Sequence, residues 1–93
     1  MKRYDKLVRD RIPEVIRADG KVPHCVAVTG QALLDHLKRK LVEEALEAQA
    51  SAAPLEELAD VHEVVRALAR ALGADLDAVA ALAEEKRARR GGF

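Results

Sequence analysis

The chain has little of what usually holds a small protein together. Of its 93 residues, one is a cysteine (Cys25) and two are aromatic (Tyr4 and Phe93). A single cysteine excludes an internal disulfide and is typical of a reducing compartment. The scarcity of aromatic side chains limits the core, and a domain this small depends on added support. The sequence therefore predicts one domain, residues 1–93, supported by a second copy or a bound ion.

The sequence also lacks a net charge and a long apolar run. Sixteen Lys and Arg residues balance sixteen Asp and Glu residues, which is not the basic composition of a general nucleic-acid binder. No apolar stretch approaches the roughly 18 residues of a membrane span. The charged residues at 1–5 replace the apolar region that a signal peptide needs. We therefore expect a soluble, cytoplasmic protein whose partners include neither a membrane nor nucleic acid.

The charges are unevenly distributed along the chain. Residues 1–40 contain ten bases and five acids, residues 41–65 contain seven acids and no base, and residues 66–93 contain six bases and four acids. The acids of the middle section must be solvated, paired with bases from elsewhere in the fold, or neutralised by a cation. The middle section is therefore the first place to look for a site.

Proline, glycine and capping residues divide the chain into four predicted helices and one extended segment. The helices are predicted at residues 12–19, 29–50, 54–72 and 75–90, and the extended segment at residues 22–28. Gly20 and Gly73 are placed to end helices, and Asp75 is placed to cap the last one. The predicted fold is all-α, of the helical-hairpin or four-helix-bundle type, assembled as a homodimer or homotetramer.

The second predicted helix places a carboxylate among leucines. At 100° per residue, Leu37 and Leu41 lie on one stripe, and Glu44 lies within it. Burial disfavours the charged form of a carboxyl group, so a buried Glu44 needs a binding partner. Val42 and Leu46 form a second apolar strip on the opposite side of the helix. This strip needs its own neighbour, and a second subunit is the candidate.

Four carboxylates are predicted to meet across the hairpin of the second and third helices. In an antiparallel pair, Glu44 faces Asp60 and Glu47 faces Glu57. A hard cation between the four carboxylates would offset their mutual repulsion, so we expect Mg²⁺, with Mn²⁺ as a substitute. Mg²⁺ commonly bridges carboxylates to phosphates, which indicates chemistry on a phosphate compound. The competing interpretation is a solvated acidic helix face.

Basic residues are candidates for contacts with the substrate's phosphates. Lys40 lies one turn before Glu44 and is either a phosphate ligand or an ion-pair partner of the neighbouring acids. The fourth helix contributes Lys86, Arg89 and Arg90. These three either bind phosphate, if that helix folds over the acids, or complement the helix dipole. The bases between residues 6 and 11 receive no role from physical reasoning alone, and His62 is predicted to be a core histidine.

The acidic motif resembles a known signature. Glu43-Glu44-x-x-Glu47 followed by Glu57-x-x-Asp60 is similar to the motif of the all-α nucleoside triphosphate pyrophosphohydrolases. This MazG-like superfamily includes phosphoribosyl-ATP pyrophosphohydrolase and dimeric dUTPases. Both ends of the chain resemble one small branch, the predicted house-cleaning nucleotide pyrophosphatases. The matching segments are Tyr4-x-Lys6-Leu7-Val8-Arg9-Asp10-Arg11-Ile12-Pro13-Glu14 and Glu85-Lys86-Arg87-x-x-Arg90-Gly91-Gly92-Phe93.

The resemblance implies a site and a reaction. Mg²⁺ would be held by Glu44, Glu47, Glu57 and Asp60. The reaction would be hydrolysis of the α–β phosphoanhydride of a standard or non-standard nucleoside triphosphate to a monophosphate and pyrophosphate. Glu44 and Glu47 are the catalytic candidates, and the sequence leaves open which Glu activates the water. The alternative function is a non-catalytic, dimeric helical interaction or regulatory module.

Overall fold

A computed structural model describes residues 6–21 and 27–93 and shows four helices there. These are α1 (Ile12–Ala18), α2 (Gly30–Ala50), α3 (Pro54–Ala71) and α4 (Leu76–Arg90). The described residues contain no strand, so the all-α prediction is confirmed for them. Of the predicted extended segment at 22–28, residues 22–26 lie outside the described residues, and residues 27 and 28 belong to no helix or strand.

The helices begin and end where the local sequence requires. Pro54 lies in the first turn of α3, where a missing N–H costs no helical hydrogen bond. Gly20 and Gly73 follow α1 and α3 with φ of +78° and +79°, a left-handed conformation that favours glycine. The Asp75 carboxylate accepts a 2.8 Å hydrogen bond from the Ala78 N–H and so caps α4. The predicted boundaries agree with the structure to within one residue.

The centre of the fold is a hairpin of α2 and α3. The connection at residues 51–53 is short, so the two long helices run antiparallel and pack against each other. Among the described residues, α4 contacts only α3, and α1 packs against no other helix. The chain therefore forms the predicted hairpin with two flanking helices. A closed four-helix bundle does not form within one copy, because α1 has only seven residues and buries none of them.

The core is small and much apolar surface stays exposed. The buried apolar side chains are Leu37 on α2 and Val64 and Ala69 on α3. Val42 and Leu46, the predicted second strip of α2, are 59% and 58% exposed. A single copy thus leaves on its surface apolar groups that a stable domain normally covers. None of the described helices combines the length and apolar character needed to cross a membrane.

Candidate metal centre

Glu44 is the buried charged residue of the hairpin. It lies on the face of α2 that packs against α3, and only 7% of its surface is exposed. Its Oε1 is 3.3 Å from Lys40 Nζ, whereas its Oε2 is buried and has no hydrogen-bond partner among the described residues. A buried oxygen without a partner costs about 1–3 kcal/mol, and more when it is charged. A bound cation would provide this oxygen with a partner.

Two groups of carboxylates share Glu44. Oxygens of Glu43, Glu44 and Glu47 lie within 4.8 Å of one another on α2. Oxygens of Glu44, Glu57 and Asp60 lie within 4.8 Å of one another across the hairpin. The other three predicted metal ligands therefore lie beside Glu44. The carboxylate cluster consists of five acids: Glu43, Glu44, Glu47, Glu57 and Asp60.

The grouping of the acids differs in part from the predicted pairs. The sequence pairs Glu47 with Glu57, but the two belong to different groups, and Glu57 groups with Glu44 and Asp60 instead. Successive helical residues are rotated by 100°, so Glu47 is displaced by about 60° from Glu44 toward the flank of α2. Glu47 is exposed there. The ligand set with members on both helices is therefore Glu44, Glu57 and Asp60.

Lys40 holds the α2 part of the cluster. Its Nζ is 3.4 Å from Glu43 Oε1 in addition to its contact with Glu44. Burial lowers the pKa of Lys40, but hydrogen bonds and charge interactions with these two acids outweigh that effect, and the net pKa is raised. Lys40 is therefore charged and engaged as an ion-pair partner, the more conservative of its two predicted roles.

The pKa values of the two acids beside Glu44 are shifted in opposite directions. For Glu43, burial raises the pKa. The charge and hydrogen bond of Lys40 lower the pKa by more than burial raises it, so the net pKa lies below its ordinary value. For Glu47, the neighbouring carboxylate of Glu44 raises the pKa above its ordinary value, because it would accept a hydrogen bond from protonated Glu47 and because its negative charge repels ionised Glu47. Among the described residues, Glu43 has bases within ion-pair distance and Glu47 has none.

Two further bases come from the start of the chain. Arg9 Nη2 lies 2.6 Å from Asp60 Oδ1, and Lys6 Nζ lies 3.4 Å from Glu43 Oε1. Physical reasoning from the sequence gave these two bases no role, although both lie in the segment that resembles the house-cleaning branch. The available signal was the unequal charge distribution, because the excess of bases in residues 1–40 matches the excess of acids in residues 41–65.

The formal charge of the cluster suits one divalent cation. Five carboxylates face three bases within ion-pair distance, which leaves a formal charge of −2. The donors are all carboxylate oxygens, the ligand type preferred by Mg²⁺ and Mn²⁺. Glu44, whose Oε2 has no partner among the described residues, belongs to both groups. The residues present therefore fit a hard divalent cation.

Other predicted site residues lie elsewhere in the chain. Lys86, Arg89 and Arg90 are exposed near the end of α4, which contacts only α3 among the described helices. No ion pair between described residues joins these bases to the carboxylate cluster. The fourth helix therefore does not fold over the acids within one copy. Arg89 and Arg90 lie in the last turn of α4, where they complement the negative end of the helix dipole.

The prediction of a core histidine is wrong. His62 is exposed on α3. It shares its side of the helix with Leu55, which is 80% exposed. Both side chains are exposed, so a position on an apolar side of a helix does not guarantee burial.

Comparison with known proteins returned no relative. The chain matches no protein-family model, no curated protein and no solved structure. The likeness of the acidic motif to the MazG-like signature therefore stays a prediction from the sequence. Arguments about function rest on the geometry of the carboxylate cluster.

Binding of a cation should be visible as increased stability. We expect millimolar Mn²⁺ to raise the melting temperature of the metal-free protein, because an ion that binds only the folded state stabilises it by about 2.7 kcal/mol at 100 times its dissociation constant. The measurement is a thermal unfolding series in Mn²⁺, Mg²⁺ and Ca²⁺, with Glu44→Gln as the variant that loses the effect. A flat Mn²⁺ series, or equal responses to Ca²⁺ and Mn²⁺, would contradict a selective metal site.

Proposed function

We propose that this chain is a Mg²⁺-dependent nucleotide pyrophosphohydrolase of the MazG-like type. Its substrate would be a nucleoside triphosphate cleaved at the α–β phosphoanhydride to a monophosphate and pyrophosphate. The observation that supports the proposal is Glu44, which belongs to both carboxylate groups and whose buried Oε2 has no hydrogen-bond partner among the described residues. A purely structural acidic face would leave its carboxylates in water, where they cost little.

The proposed roles follow from burial and position. Glu44, Glu57 and Asp60 would hold the cation, since they converge from both helices. A bound Mg²⁺ supplies positive charge to the phosphate oxygens and lowers the pKa of a bound water. Glu47 is exposed on the flank of α2, where it would be accessible both as a proton acceptor for a water on the cation and as an outer ligand. Glu43 forms ion pairs with Lys6 and Lys40, so it would support the site rather than hold the cation.

An oligomer belongs to the same proposal. One copy exposes Val42 and Leu46, and α4 is exposed from residue 77 to its end. We infer that a second copy covers the α2 strip in a homodimer or homotetramer. Contacts of Lys86 and Arg90 with substrate phosphates would then involve α4 of another copy, because α4 does not approach the cluster of its own chain.

The activity test distinguishes the possible reactions by their products. The protein is incubated with Mg²⁺ or Mn²⁺ and a panel of standard and damaged nucleoside triphosphates, and the products are separated by ion-exchange chromatography. We expect a monophosphate and pyrophosphate, because the charge of the cation must lie over the α-phosphate to assist attack there. Release of a diphosphate and phosphate would indicate a different reaction. No cleavage of any triphosphate with either metal would count against the enzyme.

The second candidate is a non-catalytic, dimeric helical interaction or regulatory module. The observation that favours it is the amount of exposed apolar surface on α2, α3 and α4, including Leu58, Leu72 and Leu82. Such surfaces mark contacts with other proteins. The module requires no cation between α2 and α3, so the Mn²⁺ unfolding series separates it from the enzyme.

A further inference from the structure

The first described residues of the chain cross the carboxylate cluster. Residues 6–11, here called the N-terminal strap, precede α1 and contact both long helices. Lys6 contacts Glu43 on α2, and Arg9 contacts Asp60 on α3, across sequence separations of 37 and 51 residues. The strap therefore places two positive charges on the cluster from outside the hairpin.

The contact of Arg9 involves one of the cation ligands. Asp60 belongs to the group that spans α2 and α3, and its carboxylate is 2.6 Å from the Arg9 guanidinium. The side chains of Arg9 and Asp60 are 56% and 40% exposed, and exposed ion pairs of this kind are weak. Arg9 can therefore exchange Asp60 for another partner at a small cost in free energy. A divalent cation on Asp60 would repel Arg9, because both are positive and occupy the same carboxylate.

Arg9 has a natural second partner once it leaves Asp60. A planar guanidinium binds phosphate through two parallel hydrogen bonds. Any phosphate carried by a cation at the cluster lies within the neighbourhood of Asp60, where Arg9 is already held. Lys6 gives the strap a second contact with the hairpin, through Glu43 on α2. The distance that Arg9 has to move is therefore short.

We propose that Arg9 is a phosphate-binding residue that Asp60 holds in place in the cation-free protein. On cation binding, Arg9 leaves Asp60 and its guanidinium binds the phosphate that the cation carries. This inference rests on the proposed metal site and adds a residue outside the hairpin to it. The consequence is that Arg9 opposes the binding of the bare cation and favours the binding of its phosphate complex.

The experiment measures the two effects separately on the full chain. Mn²⁺ is titrated into the metal-free protein, and inorganic pyrophosphate is then titrated into the Mn²⁺-saturated protein, both by calorimetry. The variants are Arg9→Gln and Arg9→Lys. The matched control is Arg11→Gln, which removes the same charge from the same strap. It should leave both affinities unchanged, because Arg11 pairs with Glu14 of α1 and not with the cluster. Circular dichroism checks that every variant folds.

Opposite changes in the two affinities are the expected result. Relative to Arg11→Gln, Arg9→Gln should bind Mn²⁺ about two- to fivefold more tightly, because an exposed ion pair is lost. It should bind pyrophosphate about tenfold more weakly, because a charge-assisted contact is lost. Arg9→Lys should bind Mn²⁺ like the unaltered protein and pyrophosphate with intermediate affinity, since lysine keeps the charge but not the planar fork.

Three outcomes would overturn the inference. Equal Mn²⁺ affinities of Arg9→Gln and Arg11→Gln would show that Arg9 does not compete with the cation. Equal pyrophosphate affinities of these two variants would show that Arg9 does not contact phosphate. Both results leave the proposed function intact. Failure of the unaltered protein to bind Mn²⁺ would overturn the proposed function together with the inference.

Discussion

Glu44→Gln is expected to abolish hydrolysis of a nucleoside triphosphate while the metal-free protein keeps its stability. Glutamine has nearly the same size as glutamate but removes the negative charge at the junction of the two carboxylate groups. A metal ion contributes several kcal/mol to the stabilisation of a charged transition state, so the rate should fall at least about a thousandfold. The repulsion that raises the pKa of Glu47 is relieved at the same time.

The measurement combines turnover with thermal unfolding in metal-free buffer. Glu57→Gln should behave in the same way, because Glu57 belongs to the group that spans the hairpin and forms no ion pair with another described residue. Glu84→Gln, on exposed α4 and outside both groups, is the control that should keep full activity. Unchanged turnover of Glu44→Gln would reject the enzyme, and a large loss of metal-free stability would indicate a structural role for Glu44.

Asp60→Asn is a less clean variant than the sequence suggests. From the sequence alone, it should relieve repulsion exactly as a change at Glu44 does. In the structure, Asp60 accepts a hydrogen bond from Arg9, so its replacement also removes an ion pair and releases the strap. Loss of activity is still expected, but any gain in metal-free stability should be smaller than that of Glu44→Gln.

The features that the sequence predicted well are local ones. The helix boundaries depend on proline, glycine and a capping aspartate, and each acts within one helical turn. The burial of Glu44 follows from its angle on α2, because its neighbours one and two turns away are leucines. Periodicity within one helix was therefore sufficient to identify the most unusual residue of the cluster.

The features that the sequence did not predict depend on distant contacts. Arg9 and Asp60 are 51 residues apart, and no periodic pattern connects a strap to a helix. The exact axial rotation of α3 against α2 decides that Glu57 lies beside Glu44, and sequence spacing gives only the level along the helix. The direction of α4 depends on the turn at Gly73, so the position of its bases could not be derived from their spacing.

Exposed apolar residues connect the fold to its assembly. The hairpin buries one apolar residue on α2 and two on α3, which is little for a chain of 93 residues. His62 and Leu55 would be core residues if another helix covered their side of α3. Their exposure in one copy is consistent with the prediction that part of the core forms only between copies.

Leu46→Glu is expected to dissociate the oligomer. In a dimer or tetramer built on the α2 strip, residue 46 lies in an apolar interface, and an unpaired charge there costs about 3–5 kcal/mol. That cost weakens association at least about a hundredfold. Light scattering at micromolar concentration should show a multiple of 10.1 kDa for the unaltered protein and a single-chain mass for the variant.

Two controls separate loss of the interface from loss of the fold. Val15→Glu adds a charge at an equally exposed apolar position on α1, outside the strip, and should leave the oligomer intact. Leu46→Gln tests whether polarity alone weakens the interface, since it adds no charge beside the acids of α2. Helix content measured by circular dichroism shows which variants remain folded. An unaltered protein that scatters light as a monodisperse 10.1 kDa monomer would contradict the assembly, and the small core of the hairpin would then have to support the fold alone.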